Sequence, residues 1–165
     1  MPHFIVDDPA LLAVCIAITA LGGGLIVFDG RPNAGKTSPA QEMAKELGGT
    51  FVDVDDYRER DLGMFLGALR IDELRRALEG AALPVLFSSV CAWQVIEKLR
   101  LSAAVVIWVE QASQQRLGQA QRDFSLDDNA DLPDQSPLHK EVEAYVAAYN
   151  ARMRPDVVVY LNARE

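Results

Sequence analysis

Apolar and polar residues form blocks along the chain that predict strands and helices in turn. Short uncharged runs between glycine, proline or polar residues predict buried strands, and longer segments with helical spacing predict helices. The predicted strands are Leu25–Asp29, Thr50–Val54, Pro84–Phe87, Ala104–Val109 and Val157–Leu161. The predicted helices are Pro9–Ala20, Ala40–Leu47, Asp72–Gly80, Ala92–Leu101, Ala112–Phe124 and Ser136–Met153.

The predicted strands are apolar throughout rather than polar on one face, which is typical of parallel sheets covered on both sides. We therefore expect an α/β fold of three layers, with a mainly parallel sheet of about five strands and helices on both faces. The sequence contains no repeat, low-complexity tract or linker. A single domain over residues 1–165 is expected, with residues 1–23 as an N-terminal helix before the first strand.

Residues Ala10–Phe28 are almost all apolar and approach the length of a membrane span. The preceding segment carries Asp7 and Asp8 and no basic residue, unlike the start of a signal peptide. Three consecutive glycines, 22–24, also interrupt the run. We favour a helix followed by a buried strand over a membrane span.

The net charge and the cysteine content limit the binding partners and the cell compartment that we expect for this protein. Lys and Arg number 16 against 24 Asp and Glu, a net charge of −8, which argues against nucleic acid or an anionic membrane as partner. Cys15 and Cys91 form no metal-ligand pair with His3 or His139 and, as free thiols, fit a reducing compartment such as the cytoplasm. The apolar face of the first helix suits either the core or a dimer contact, so a homo-oligomer stays open.

Residues 30–37, Gly-Arg-Pro-Asn-Ala-Gly-Lys-Thr, match the P-loop pattern Gly-x-x-x-x-Gly-Lys-Thr at every fixed position. Such a loop turns backbone N–H groups toward phosphate oxygens, and the following helix adds its positive N-terminal end. We expect Lys36 to reach the β and γ phosphates of ATP and Thr37 to offer its hydroxyl to Mg²⁺. The predicted cofactor-binding residues are Gly30, Asn33, Ala34, Gly35, Lys36, Thr37 and Ser38.

An acidic cluster, Asp53-Val54-Asp55-Asp56-Tyr57, follows the second predicted strand. If Phe51 to Asp55 is extended, Asp53 and Asp55 share one face, at the strand end where such folds bind ligands. A carboxylate there can accept the proton of an attacking hydroxyl, and Asp53 can hold Mg²⁺ through water. The alternative is a solvated acidic loop that caps the next helix.

These motifs resemble the uridine kinase-like and nicotinamide riboside kinase-like branch of small P-loop kinases. The similarity includes the phosphate loop, the acidic cluster, Arg116 and Arg122 after the fourth strand, and a closing helix and strand from Glu141 onward. It implies an ATP-dependent kinase acting on a hydroxyl of a small molecule, such as a nucleoside, sugar or antibiotic-like alcohol. Asp55 would be the base, and Arg116 and Arg122 would be catalytic lid residues, unless they are simply solvated.

Ser88 departs from this resemblance, because the related kinases place an acidic residue at the end of the third strand. A serine can bond a metal-bound water but brings no charge. A nucleotide-binding regulatory module with a degenerate catalytic site is therefore the alternative function. The GTPase interpretation is disfavoured, since no Asn-Lys-x-Asp segment occurs.

Overall fold

The computed structural model describes residues 4–5, 17, 23–60, 62–111 and 136–161. The strands are β1 (Phe4–Ile5), β2 (Leu25–Asp29), β3 (Thr50–Asp53), β4 (Val85–Ser88), β5 (Val105–Gln111) and β6 (Val157–Leu161). The helices are α1 (Thr37–Leu47), α2 (Ile71–Glu79), α3 (Ala92–Leu99) and α4 (Pro137–Tyr149). Two 3₁₀ helices, Val54–Tyr57 and Leu66–Ala68, follow β3.

The strands form one sheet in the order β1-β6-β5-β2-β4-β3, and every neighbouring pair is parallel. The predicted α/β class is confirmed, and each of the five predicted strands is present. The two-residue strand β1 was not predicted, and it makes Leu25–Asp29 the second strand rather than the first. The phosphate-loop strand β2 lies between β4 and β5.

The connections place α1 on one face of the sheet and the other three helices on the opposite face. The chain moves outward from β2 to β3, then back through β4 and β5 to β6. Parallel crossovers are right-handed, so a reversal of direction across the sheet transfers the helices to the other face. Met43 of α1 packs in one core, while Leu74 of α2 and Val142 of α4 pack in the other.

Two helix ends follow the predicted signals. Gly48, with φ of 65°, ends α1 in the left-handed conformation, which glycine adopts without steric cost. Ser136 caps α4, because its hydroxyl accepts a hydrogen bond from the His139 amide at 3.2 Å.

Several other predicted helix boundaries are wrong: α1 begins at Thr37 rather than Ala40, and α3 ends at Leu99 rather than Leu101. Helix α4 ends at Tyr149, before the left-handed Asn150, rather than at Met153. Asp72 is not the cap of α2, because the helix begins one residue earlier; its carboxylate instead pairs with Arg75 within the first turn at 3.2 Å.

Several predictions fall outside the described residues. They include most of helix Pro9–Ala20, of which Ala17 is described and helical, and all of helix Ala112–Phe124 with Arg116 and Arg122. Among the described helices, none combines the length and apolar character needed to cross a membrane. Cys91 is a free, buried thiol, as predicted.

Candidate nucleotide-binding site

The phosphate loop begins where β2 ends, and its backbone shape explains its glycines. A side chain on Gly30 would place its Cβ only 2.5 Å from the Val109 carbonyl oxygen of the neighbouring strand. Gly35 has φ of 88° and Asn33 φ of 60°, both in the left-handed region where glycine and asparagine are favoured. The loop therefore folds tightly over the carboxyl end of the sheet.

Lys36 is folded back into this loop. Its ammonium group donates to the carbonyl oxygens of Gly30 at 3.1 Å and Arg31 at 2.6 Å, and the residue is only 8% exposed. Burial lowers the pKa of Lys36, and the nearby carboxylates of Asp29 and Asp55 oppose that shift. The cation is thus held inside the loop, at the place where the sequence predicts phosphate.

A cavity of about 540 Å³ opens beside the loop at the carboxyl edge of the sheet. Of the predicted cofactor-binding residues, Asn33, Gly35, Lys36, Thr37 and Ser38 line it. Gly30 and Ala34 are buried and are not among the lining residues. The other lining residues are Pro32, Asp53, Asp55, Arg58, Ser88, Ser89, Val90 and Leu138.

The two residues predicted to hold a metal ion are brought together. The Thr37 hydroxyl donates to Oδ2 of Asp53 at 3.4 Å, although Asp53 lies on β3, two strands away from β2. Burial raises the pKa of Asp53, an effect that its hydrogen bonds from the Asp55 amide and Thr37 oppose. A positive charge bound beside the Asp53 carboxylate would offset the cost of its burial.

Thr37 and Asp53 suit a partly hydrated Mg²⁺ ion better than a metal ion whose ligands all come from the protein. Among the described residues, no group of three or more His, Cys, Asp or Glu could hold a metal ion. Magnesium in phosphate-transfer sites takes one or two protein oxygens and fills its remaining positions with waters and substrate phosphates. A hydroxyl and a carboxylate next to the phosphate loop match that donor set.

Asp55 also lines the cavity, but for a different reason than the predicted alternation along a strand. Strand β3 ends at Asp53, and Asp55 lies in the 3₁₀ helix Val54–Tyr57. Oδ1 of Asp53 accepts the Asp55 amide at 3.0 Å and so caps that helix. The acidic segment therefore caps a helix and also contributes two carboxylates to the cavity.

Arg58 is a second cationic residue, besides Lys36, among those that line the cavity. Its Nε lies 3.6 Å from Oδ1 of Asp55, and its backbone pairs with Leu69 in an antiparallel bridge. The pairing is extended by the Glu59 amide, which donates to the Ala68 carbonyl at 2.8 Å. Residues 58–60 and 62–69 thus form a hairpin-like segment, and its first residue, Arg58, lines the cavity. From the sequence, Arg58 and Arg60 are either contacts to an anionic or polar substrate or ordinary surface arginines.

Ser88 occupies the expected position at the end of β4. It is 2% exposed, pairs with Phe28 on one side and Asp53 on the other, and lines the cavity. The place where the resembled kinases carry an acid thus holds a buried neutral hydroxyl residue, next to the strand that carries Asp53.

Helix α4 supplies three contacts that sequence reasoning missed. Glu143 accepts two hydrogen bonds from Arg31 of the phosphate loop, at 2.8 and 3.2 Å. Glu141 accepts the backbone amides of Phe65 and Leu66, at 2.6 and 2.9 Å. The third contact is made by Tyr145, as described next. The sequence gave no sign that Glu141 and Glu143 contact the site, because their partners lie more than 70 residues away in the chain.

Asp29, the last residue of β2, is buried directly beneath the phosphate loop. Its Oδ1 accepts the Gly30 amide at 2.8 Å and the Ala92 amide at 3.4 Å, and its Oδ2 accepts the Tyr145 hydroxyl at 2.5 Å. Burial raises the pKa of Asp29 to about 6, although these hydrogen bonds and Lys36 act in the opposite direction. A carboxyl group of nearly neutral pKa therefore ties the loop to α3 and α4.

Comparisons with known proteins agree with this architecture. No protein-family model and no curated protein matches the sequence. Among solved structures, the chain is similar to a possible uridine kinase from Bacillus stearothermophilus, with a TM-score of 0.60 and 15% identity over 92% of this chain and 96% of that one. The likeness establishes that the two chains share a fold. Kinase activity and the specific branch of small kinases stay predictions.

Asp29 should make stability depend on pH. Its pKa, about 6 in the fold against 3.8 as reference, means that the folded state binds the proton more tightly. The contribution to stability is therefore full below pH 3.8 and is lost as pH rises through 6, by about 2–3 kcal/mol. Denaturant titrations of wild type and Asp29→Asn at pH 4 and 7 measure it. The wild-type advantage over the variant should shrink by that amount; a pH-independent difference would contradict the assignment.

Proposed function

We propose that this protein is an ATP-dependent kinase that transfers the γ-phosphoryl group to a hydroxyl of a small molecule. The observation that carries the proposal is one cavity in which Lys36 and Thr37 of the phosphate loop face Asp53 and Asp55 of the next segment. Nucleotide phosphates, a divalent cation and an acceptor hydroxyl need those four groups around a common space. The P-loop kinase-like fold supports the same conclusion.

The roles follow from the chemistry of each group. Lys36 and the loop amides offset the negative charge of the phosphates, as expected for an anion site at the N-terminus of a helix. Thr37 and Asp53 hold Mg²⁺, which supplies positive charge to the β and γ phosphates. Asp55 is more exposed than Asp53, at 63% of its side chain, and also lines the cavity, so it is the proposed base for the acceptor hydroxyl.

The acceptor is proposed to bind beside Asp55 and Arg58, the first residue of the hairpin-like segment. Arg58 and the two serines at the end of β4 give this part of the cavity polar groups, while Val90 and Leu138 give it apolar surface. A nucleoside, sugar or antibiotic-like alcohol combines hydroxyls with apolar faces and fits such a lining. Arg116 and Arg122 are proposed to close over the phosphates and stabilise charge during transfer. We propose a cytoplasmic location.

Ser88 favours a second candidate, a nucleotide-binding regulatory module without efficient turnover. A buried neutral residue at this position leaves the metal with one fewer carboxylate than the resembled kinases provide. The same cavity would then bind nucleotide and signal its presence through the elements packed on the loop.

Replacing Lys36 by methionine tests nucleotide binding. The variant keeps the aliphatic stem and loses the ammonium group, so Mg·ATP affinity should fall at least about tenfold, the scale of one charge-assisted hydrogen bond. Calorimetry with ATP measures the change. Lys45→Met is the matched control, since Lys45 lies exposed in the last turn of the same helix and should bind ATP like wild type. Equal affinity in all three proteins would refute the phosphate-loop assignment.

Replacing Asp55 by asparagine tests the base. The amide keeps the shape but cannot take the proton, so transfer should fall about a hundredfold or more while Mg·ATP affinity stays within about twofold. The assay is ADP release with a panel of nucleosides, sugars and antibiotic-like alcohols. Asp56→Asn is the control, because Asp56 is exposed and is not a lining residue. If Asp53→Asn abolishes transfer while Asp55→Asn does not, the base has been assigned to the wrong residue.

Replacing Ser88 by glutamate separates the two candidate functions. In an active kinase, a new carboxylate beside Asp53 crowds groups that already share the cation and raises their pKa values, so turnover should stay the same or fall. In a degenerate module the new carboxylate would restore a missing ligand and increase Mg²⁺-dependent ATP turnover. Turnover of wild type and Ser88→Glu is measured side by side, with Ser88→Gln as the uncharged control. A gain specific to glutamate over an inert wild type would favour the regulatory module.

A further inference from the structure

The carboxyl group of Asp29 is a buried acid whose hydrogen-bond donors are all neutral. It is 1% exposed, and the donors are two backbone amides and a phenol. Buried carboxylates are normally compensated by a cation, because desolvation of a charge is costly. Asp29 instead lies beneath a loop shaped to bind anions, and a bound phosphate would add to its negative charge.

Lys36 links this acid to the phosphate site. Among the charged groups that act on Lys36, Asp29 has the largest effect, ahead of Asp55 and Asp53. The Asp29 carboxylate accepts the Gly30 amide, and the Gly30 carbonyl accepts the Lys36 ammonium, so the backbone of a single residue lies between the acid and the cation. A triphosphate at Lys36 would take over the positive charge that now favours ionised Asp29.

We propose that Asp29 is a positioning residue of the phosphate loop and that nucleotide binding is coupled to uptake of one proton by its carboxyl group. The inference rests on the proposed nucleotide-binding function. The proton comes from solvent and adds to a carboxylate oxygen. The Tyr145 oxygen already accepts the Trp93 amide at 3.2 Å, and its second lone pair can accept a hydrogen bond from the neutral acid, so Asp29 and Tyr145 stay paired. The carboxyl group then holds the Gly30 peptide in place without repelling the phosphates.

The other groups around Asp29 allow this assignment. The Cys91 thiol, at the start of α3, and the Tyr145 phenol, on α4, both have a pKa raised by burial, so they stay neutral near pH 7. Lys36 carries the opposite charge from the loop side. With the pKa of Asp29 already near 6, a modest added negative potential protonates it at pH 7, since one pKa unit corresponds to a tenfold population change.

Calorimetry with Mg²⁺ and the nonhydrolysable analogue adenosine 5′-(β,γ-imido)triphosphate tests the coupling. Titrations at pH 7 in buffers of different ionisation enthalpy give the number of protons taken up on binding. Wild type should take up about half to one proton more than Asp29→Asn, because the analogue's own protons contribute equally in both. From pH 7.5 to 6.5 its affinity should also rise up to about tenfold more than that of the variant.

Asp72→Asn removes an exposed acid on α2, whose carboxylate is 86% exposed, and should take up as many protons as wild type. Tyr145→Phe keeps the acid but removes a donor that stabilises its ionised form. Its uptake at pH 7 should be smaller than in wild type and should move to higher pH, and it serves as the test if Asp29→Asn does not fold.

The outcomes separate this inference from the proposed function. Tight binding with equal proton uptake in wild type and Asp29→Asn, or a pH profile unchanged in Tyr145→Phe, overturns the coupling and leaves nucleotide binding intact. Absence of binding to wild type overturns the nucleotide-binding function and this inference with it. A purely structural role for Asp29 would lower the unfolding temperature of the variant without altering the proton count.

Discussion

The close approach of the phosphate loop to the sheet is the constraint on which the site depends. Gly30 lies against the Val109 carbonyl with no room for a side chain, so the loop must turn directly over the end of β2. That turn places the start of α1 next to β3 and brings Thr37 within 3.4 Å of the Asp53 carboxylate. The sheet order, with β4 between β2 and β3, fixes the span that those two side chains bridge. Cation, hydroxyl and carboxylates therefore meet in one cavity because of backbone packing.

Helix α4 joins the parts of this cavity that belong to different segments. Its Glu143 contacts the phosphate loop, and its Tyr145 contacts Asp29 beneath that loop. Its Glu141 accepts a backbone amide of the hairpin-like segment that begins at Arg58. Three polar side chains on one helix thus connect the nucleotide side to the proposed acceptor side. These hydrogen bonds, of which that of Tyr145 is buried and those of the two glutamates are part-buried, depend on the position of α4, so its displacement would alter both sides of the cavity. The helix is a structural basis for coupling between the two proposed substrates.

Electrostatics distinguish the two sides of the loop. Toward the cavity, Lys36 and the loop amides favour phosphate, while Asp53 and Thr37 favour a divalent cation. Beneath the loop, Asp29 opposes phosphate as long as it is ionised and becomes compatible with it when neutral. The buried serine on β4 leaves the cation side with fewer charges than the resembled kinases have. Under the proposed function, the balance of charge around the loop would decide whether the site only binds nucleotide or also transfers phosphate.

The sequence by itself determined the α/β class, the five main strands and the phosphate loop. Apolar runs identify buried strands regardless of their partners, and the loop's spacing reflects a local backbone requirement that Gly30 and Gly35 satisfy. It also predicted that Asp53 and Asp55 lie together, and both line the cavity, although Asp55 lies in a 3₁₀ helix and not in an extended strand. The contacts of Asp29 and α4 with the phosphate loop, and the position of Arg58 at the cavity, are visible only in the tertiary structure. Their partners are remote in sequence, and a buried acid such as Asp29 is recognised only from what surrounds it.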